Sequence, residues 1–209
     1  MYVPEHFAVQ RSERLHALLR THPLGLLITP GPDGPEADHL PFLFDPAAGP
    51  NGTLSAHVAR ANPVWQRCPD GTPVLVVFRG AEGYISPSWY PTKAETHRHV
   101  PTWNYDVVHV RGVLTVRDDE RFVRGVVARL TRQHEAAEPQ PWRMTDAPPD
   151  YLDAMLRQVV GIEIAVTALT GKAKLGQNRL PVDRLGAADA LQARGRDALA
   201  RHMRDPDAI

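Results

Sequence analysis

Between residues 83 and 108 the chain reads GYISPSWYPTKAETHRHVPTWNYDVV, and five of its nine tryptophans and tyrosines fall there: Tyr84, Trp89, Tyr90, Trp103 and Tyr105. Ser86, Ser88, Thr102 and Asn104 stand beside them. Amphipathic rings can wall or stack on a flat ring system while short polar groups bond its heteroatoms. The same composition also suits an aromatic-rich contact between two copies of a chain. Two further clusters share this polar character. In HVARANP (57–63), Arg60 and Asn62 sit where a strand hands over to a helix start, and a guanidinium beside such backbone N–H groups makes a phosphate seat. In KAKLGQNR (172–179), Lys172, Lys174, Gln177, Asn178 and Arg179 are dense in donors for a mere turn. Together the three clusters have the chemistry of a site for a planar, anionic ligand.

The elements that position these residues follow from periodicity. RSERLHALLRTH places Leu15, Leu18 and Leu19 on one helical face after an extended MYVPEHF, and Pro23 ends that helix. LGLLIT (24–29) and ADHLPFLFD (37–45) read as strands joined by the turn PGPDGPE, with Pro41 marking an edge or bulge. GTLSAHVA (52–59) is a third strand, and Asn62 and Pro63 open a short helix as cap and first residue. TPVLVVFRG (72–80) pairs with GYISPS as the next hairpin, and YDVVHVRGVLTVRD (105–118) is a long strand. An amphipathic helix follows, capped by Asp118 or Asp119, with Phe122, Val126, Val127 and Leu130 inward. A proline-rich loop, a second helix at YLDAMLRQVV, a strand over 161–176 and a last helix from Val182 to Met203 complete the chain. So many short strands with turns between them indicate a barrel or sandwich rather than βαβ units.

Composition narrows the classes. At 209 residues the chain fits one domain, or one with a small appendage, and its 24 basic residues equal its 24 acids. Zero formal charge offers no broad field for a nucleic-acid duplex, so DNA is not a partner supported by charge, although a local patch can hide in a neutral total. The single Cys68 excludes an internal disulfide framework. No leader pattern and no long apolar run is present, so no membrane partner is expected and cytoplasmic residence is the default. The nucleophile elbow, phosphate loop, dinucleotide fingerprint and H-E-x-x-H are all absent, leaving no catalytic residue to name. His97 and His99 could grip a metal from THRH, but paired histidines in a polar loop read first as solvated, so no metal is expected. His39 and His57 read as hydrogen-bonded core histidines.

Six stretches in order, MYVPEHF, ADHLPFLFD, HVARANPVW, YISPSWYP, VPTWNY and KLGQNR, resemble the successive motifs of the PaiB family, the FMN-binding negative transcriptional regulators. That resemblance implies an α+β, mainly β fold: a split β-barrel of the pyridoxamine-phosphate-oxidase-like kind with peripheral helices, occupying residues 1–180. Residues 181–209 would form a helical extension packed on the barrel or on a partner. It further implies a homodimer with FMN in the cleft between subunits. Arg60 and Asn62 would lie near the phosphate, and Ser86, Ser88, Trp103 and Asn104 would line the flavin cleft. Lys174, Gln177, Asn178 and Arg179 would reach the same cleft. The family's last motif reads K-L-S-Q-N-R, often with an aromatic two residues before its leucine, where this chain has Gly176 and Ala173. Three functions fit the expectation: a flavin-binding regulator or sensor, an FMN-dependent oxidoreductase, or a haem-binding split barrel with His57 or His99 as ligand.

Overall fold

The computed structural model describes residues 1–206. After a turn of 3-10 helix at Glu5–Phe7 come β1 (Ala8–Val9), α1 (Ser12–Thr21), β2 (Leu24–Gly31), β3 (Gly34–Pro41), β4 (Leu43–Asp45), β5 (Thr53–Ala59), α2 (Val64–Arg67) and β6 (Thr72–Ile85). A 3-10 turn at Pro87–Trp89 leads to α3 (Lys93–Thr96), β7 (Thr102–Arg117) and α4 (Glu120–Glu135). A 3-10 turn at Met144–Asp146, α5 (Pro149–Leu156), β8 (Val159–Lys174), α6 (Pro181–Gln192) and α7 (Asp197–Arg204) follow. Strand order is β3-β2-β6-β7-β8-β5-β4, with β1 added on β8. The packing divides the chain into two compact units, the larger formed by Leu19–Phe78 with Val110–Leu169. The smaller comprises Met1–Leu18, Arg79–His109 and the chain from Thr170 onward.

In the larger unit, β2 and β3 form an antiparallel hairpin in register from Leu24↔Pro41 to Gly31↔Gly34, leaving Pro32 and Asp33 as the turn. The strand expected over 37–45 is two strands. Pro41 has no N–H for the ladder, and the N–H of Phe42 goes instead to the Pro23 carbonyl at 2.9 Å. That break buries Phe42 against Phe78, ring centroids 5.7 Å apart and edge-on. Beyond it, β4 pairs with β5, and β5 with β8. Asp119 caps α4 by accepting the Phe122 N–H at 2.8 Å. Of the expected inward residues Val126 and Leu130 are buried; Val123 is buried where Phe122 was expected, and Val127 is only partly buried. Phe122 lies under the Arg117 guanidinium, 5.0 Å from the ring.

In the smaller unit the hairpin expected between residues 72–80 and 83–88 does not exist, because β6 runs unbroken to Ile85. Gly80 and Gly83 serve close packing rather than a turn. A Cβ on Gly80 would lie 3.2 Å from both Asp106 and Leu18, and one on Gly83 would lie 3.0 Å from Leu199. The N-terminal stretch expected to be extended closes into a 3-10 turn, with the Phe7 N–H on the Pro4 carbonyl at 2.9 Å. The single last helix expected is likewise two. At Gly195 the backbone turns left-handed, φ 71°, and the Arg196 N–H reaches back to the Leu191 carbonyl at 3.0 Å. This is the hydrogen-bond pattern by which glycine stops a helix. Ile85, Tyr90, Leu175, Ala187, Ala188, Leu191, Leu199, Ala200 and Met203 form the core here. The alanines let α6 and α7 lie close. α6 and α7 thus contribute Ala187, Ala188, Leu191, Leu199, Ala200 and Met203 to this unit's core.

Candidate functional site

Within the smaller unit the aromatic stretch builds a shelf of rings. Tyr84 meets Trp89 at 6.4 Å and Trp103 at 6.5 Å, both edge-on. Tyr84 is 48% exposed and Trp103 50% exposed, so their faces remain free. Ser86 is spent locally: its hydroxyl accepts the Ser88 N–H at 3.2 Å and starts the 3-10 turn that carries Trp89. Ser88 is exposed, with Lys93 Nζ at 3.5 Å from its hydroxyl. Trp89 has the Arg194 guanidinium 4.7 Å above its ring. Asn104 points inward instead of lining a surface. It is buried, and its Nδ2 has the Met203 sulfur as partner at 3.4 Å.

The end of β8 brings cations to this unit. Lys174 Nζ donates to Thr102 Oγ1 at 2.5 Å and to the Trp103 carbonyl at 2.9 Å. Burial pulls the Lys174 ammonium below the usual lysine range; Tyr105 opposes it, and the Lys172 and Arg179 charges add smaller downward pulls. Lys172 lies over Tyr105 at 5.4 Å and Tyr2 at 5.7 Å. Gln177 folds on its own turn, Oε1 accepting the Leu175 N–H at 2.8 Å and Nε2 donating to the Ala173 carbonyl at 2.7 Å. That turn needs Gly176 at φ 88°. Asn178 is exposed. The Arg179 guanidinium sits over the Tyr90 ring at 5.3 Å. Burial raises the Tyr90 hydroxyl above its usual range, partly offset by the Arg179 charge.

A buried polar knot that no sequence signal announced lies behind the shelf. Asp183, in the first turn of α6, accepts the Thr92 N–H at 3.0 Å and the Thr92 hydroxyl at 2.8 Å. His99 Nε2 is 2.9 Å from the same hydroxyl. A carboxylate only accepts, so the hydroxyl proton points to Asp183 and Nε2–H of His99 donates to Thr92. The His99 Nδ1 is buried and has no hydrogen-bond partner. Asp106 anchors a second such knot, with His202 Nδ1 at 2.5 Å and Arg14 Nη2 at 3.3 Å. Asp183 and Asp106 were missed because an acid near a helix start, or between valines in a strand, reads as solvent-facing. Of the metal pair considered above, His97 is exposed in a left-handed conformation, φ 51°, and His99 is engaged by Thr92.

Arg60 and Asn62 belong to the larger unit, and both are committed there. Arg60 donates to both Asp118 oxygens, at 3.0 and 2.6 Å, and to the carbonyls of Arg157 and Val159 at 2.7 and 3.2 Å. The hydrogen-bonded guanidinium holds the Asp118 carboxyl below the usual carboxylate range. Asn62 accepts the Val64 N–H at 2.9 Å in the turn before α2 and donates to Asp38 Oδ1 at 2.7 Å; the N-cap expected at Asn62 falls on Pro63 instead. His57, also in this unit, is partly buried, its Nδ1 is buried without a hydrogen-bond partner, and burial lowers its ring's affinity for a proton.

Comparison with known proteins agrees with this architecture. The family model described as "Putative FMN-binding domain" matches residues 1–168. The chain is similar to the "Protease synthase and sporulation protein PAI 2" of Bacillus subtilis (strain 168), 30% identical over 192 residues that cover 92% of this chain and 89% of that one. Among solved structures it is similar to a flavocytochrome from Azotobacter vinelandii, TM-score 0.60 at 12% identity, covering 84% of this chain and 73% of that one. The FAD and heme binding protein from Mycobacterium smegmatis superposes with TM-score 0.55 at 18% identity, covering 81% and 74%. The fold is α+β, mainly β, of the split-barrel kind. With most of its length matched by the FMN-binding family model and by the PAI 2 protein, the chain belongs to the PaiB family of FMN-binding proteins.

Proposed function

We propose that the protein binds FMN through the ring shelf and the end of β8, and works in the cytoplasm as a flavin-linked sensor or negative transcriptional regulator. Tyr84, Trp89 and Trp103 would stack on the isoalloxazine, with Ser88, Lys174, Asn178 and Arg179 as its polar contacts. The observation that carries this reading is Lys174, a half-buried cation held against Thr102 and the Trp103 backbone, directly beside a half-exposed ring. Bound there, FMN supplies a planar ring that is reversibly reduced. The chain's own part is to stack, to orient and to place positive charge where negative charge gathers. Ser86, Asn104 and Gln177 would act from behind, by holding the shelf and the turn. A phosphate contact by Arg60 and Asn62 would require them to leave Asp118 and Asp38. A homodimer is also proposed, its second copy covering exposed apolar groups of the smaller unit such as Val182 and Leu185.

A fluorescence titration of FMN with the full-length protein tests the reading. Arg179→Ala and Lys174→Met should each weaken binding about 10- to 100-fold, the loss expected for a charge-assisted hydrogen bond of about 1.5–3 kcal/mol. Unchanged affinity in both would remove the β8 end from the site, and unchanged affinity in Arg60→Ala would do the same for the phosphate seat. Rapid NAD(P)H oxidation by the FMN-loaded protein would favour the oxidoreductase reading over the sensor.

A further inference from the structure

The neutral total of the chain conceals one strongly one-signed surface in the larger unit. Arg121, Arg129 and Arg132 fall on one face of α4, with Gly125 and Ala128 between them. Arg117, the last residue of β7, joins them around a shallow depression of about 600 Å³ also lined by Phe122 and Asp119. The neighbouring acids are largely engaged elsewhere. Asp119 caps the helix, Glu120 and Asp153 both pair with Arg124, and Glu135 accepts the Trp142 N–H. Glu163 stands 3.9 Å from Arg117 Nε. Among the described residues no acid pairs with Arg121, Arg129 or Arg132.

Gly125 is the feature of this face that its own packing leaves unexplained. Gly125 lies inside a 16-residue helix, where glycine costs about 1 kcal/mol relative to alanine. A Cβ there would meet nothing within 4 Å, so no packing need inside the molecule explains the glycine. Arg117 is held at the edge of the face by the Phe122 ring and by Glu163, 3.9 Å from its buried Nε. Eleven residues separate Arg121 from Arg132, a span of about 16 Å along the helix. One phosphate or one carboxylate cannot reach guanidiniums that far apart, whereas a duplex carries a charge about every 1.7 Å of its axis. The small floor of Gly125 and Ala128 admits a sugar–phosphate strand between the arginines.

We propose that the arginine face of α4 docks the phosphate backbone of a nucleic-acid duplex, without reading its sequence. This surface is independent of the flavin site and stands or falls separately. Fluorescence anisotropy of a short labelled duplex of mixed sequence, titrated with the full-length protein at several salt concentrations, tests it. Phosphate contacts by Arg121, Arg129 and Arg132 give a slope of log K against log salt of about −3, at about −0.9 for each. Arg121→Gln, Arg129→Gln and Arg132→Gln should each flatten that slope by about 1, with FMN affinity unchanged. Gly125→Leu should weaken the duplex complex while circular dichroism stays native, and Arg201→Gln on α7 should change nothing. No binding at low salt, or a slope that the α4 substitutions leave intact, overturns the proposal. Equal displacement by polyglutamate and by unlabelled duplex also overturns it, assigning the face to an acidic peptide.

Discussion

His57 shows how one side chain couples burial to pH. Its ring is partly buried on β5 with one buried nitrogen unpartnered, and burial lowers its proton affinity below the ordinary 6.5. Above that pH the ring is neutral in the folded and unfolded chains alike. As pH falls below 6.5 the unfolded chain takes up a proton that the folded one refuses, so stability declines. The thermal midpoint should therefore drop on acidification, and His57→Gln should flatten that drop; a midpoint equally acid-sensitive in the variant would place the titration elsewhere. His57 was expected as a hydrogen-bonded core histidine, but it is only partly buried between the buried Ala56 and Val58, and its Nδ1 has no partner. Single residues read well when type alone limits their role, as with Asp119 as the cap of α4. They read poorly when the role depends on a partner distant in sequence: Arg60 offers a free guanidinium on paper and meets Asp118, 58 positions away.

At the scale of elements, strands were legible from valine-rich alternation and helices from their apolar faces, yet glycines misled twice. Gly80 and Gly83 look like a turn and instead let side chains approach β6. Gly195 sits within a helical pattern and ends it. The difference lies in tertiary contact and in φ, neither of which a residue's name carries. Two substitutions separate these uses of glycine. Gly112→Ala should destabilise by about 1–3 kcal/mol through overpacking, since its Cβ would stand 2.6 Å from the Ala165 carbonyl oxygen, a backbone atom unable to yield cheaply. Gly195→Ala meets no atom within 4 Å and should cost only the left-handed strain, about 1 kcal/mol, with Gly195→Asn recovering part of it. Urea midpoints of the purified variants measure both, and a neutral Gly112→Ala would contradict the packing described here.

For the molecule as a whole, order of motifs mattered more than any one of them, since strand periodicity alone left barrel and sandwich open while six ordered stretches resembled one family. Assembly is the next test at this scale. Sedimentation should report a dimer, and Leu185→Asp on the exposed side of α6 should shift it toward monomer. A variant that still sediments as the dimer would exclude α6 from the interface. Family membership also invites redesign toward the commonest residues, a strategy that often raises stability. The turn after β8 sets a limit on it. Because Gly176 occupies a conformation that a side chain enters only under strain, installing there the serine of the K-L-S-Q-N-R motif that this turn resembles would loosen the turn Gln177 ties.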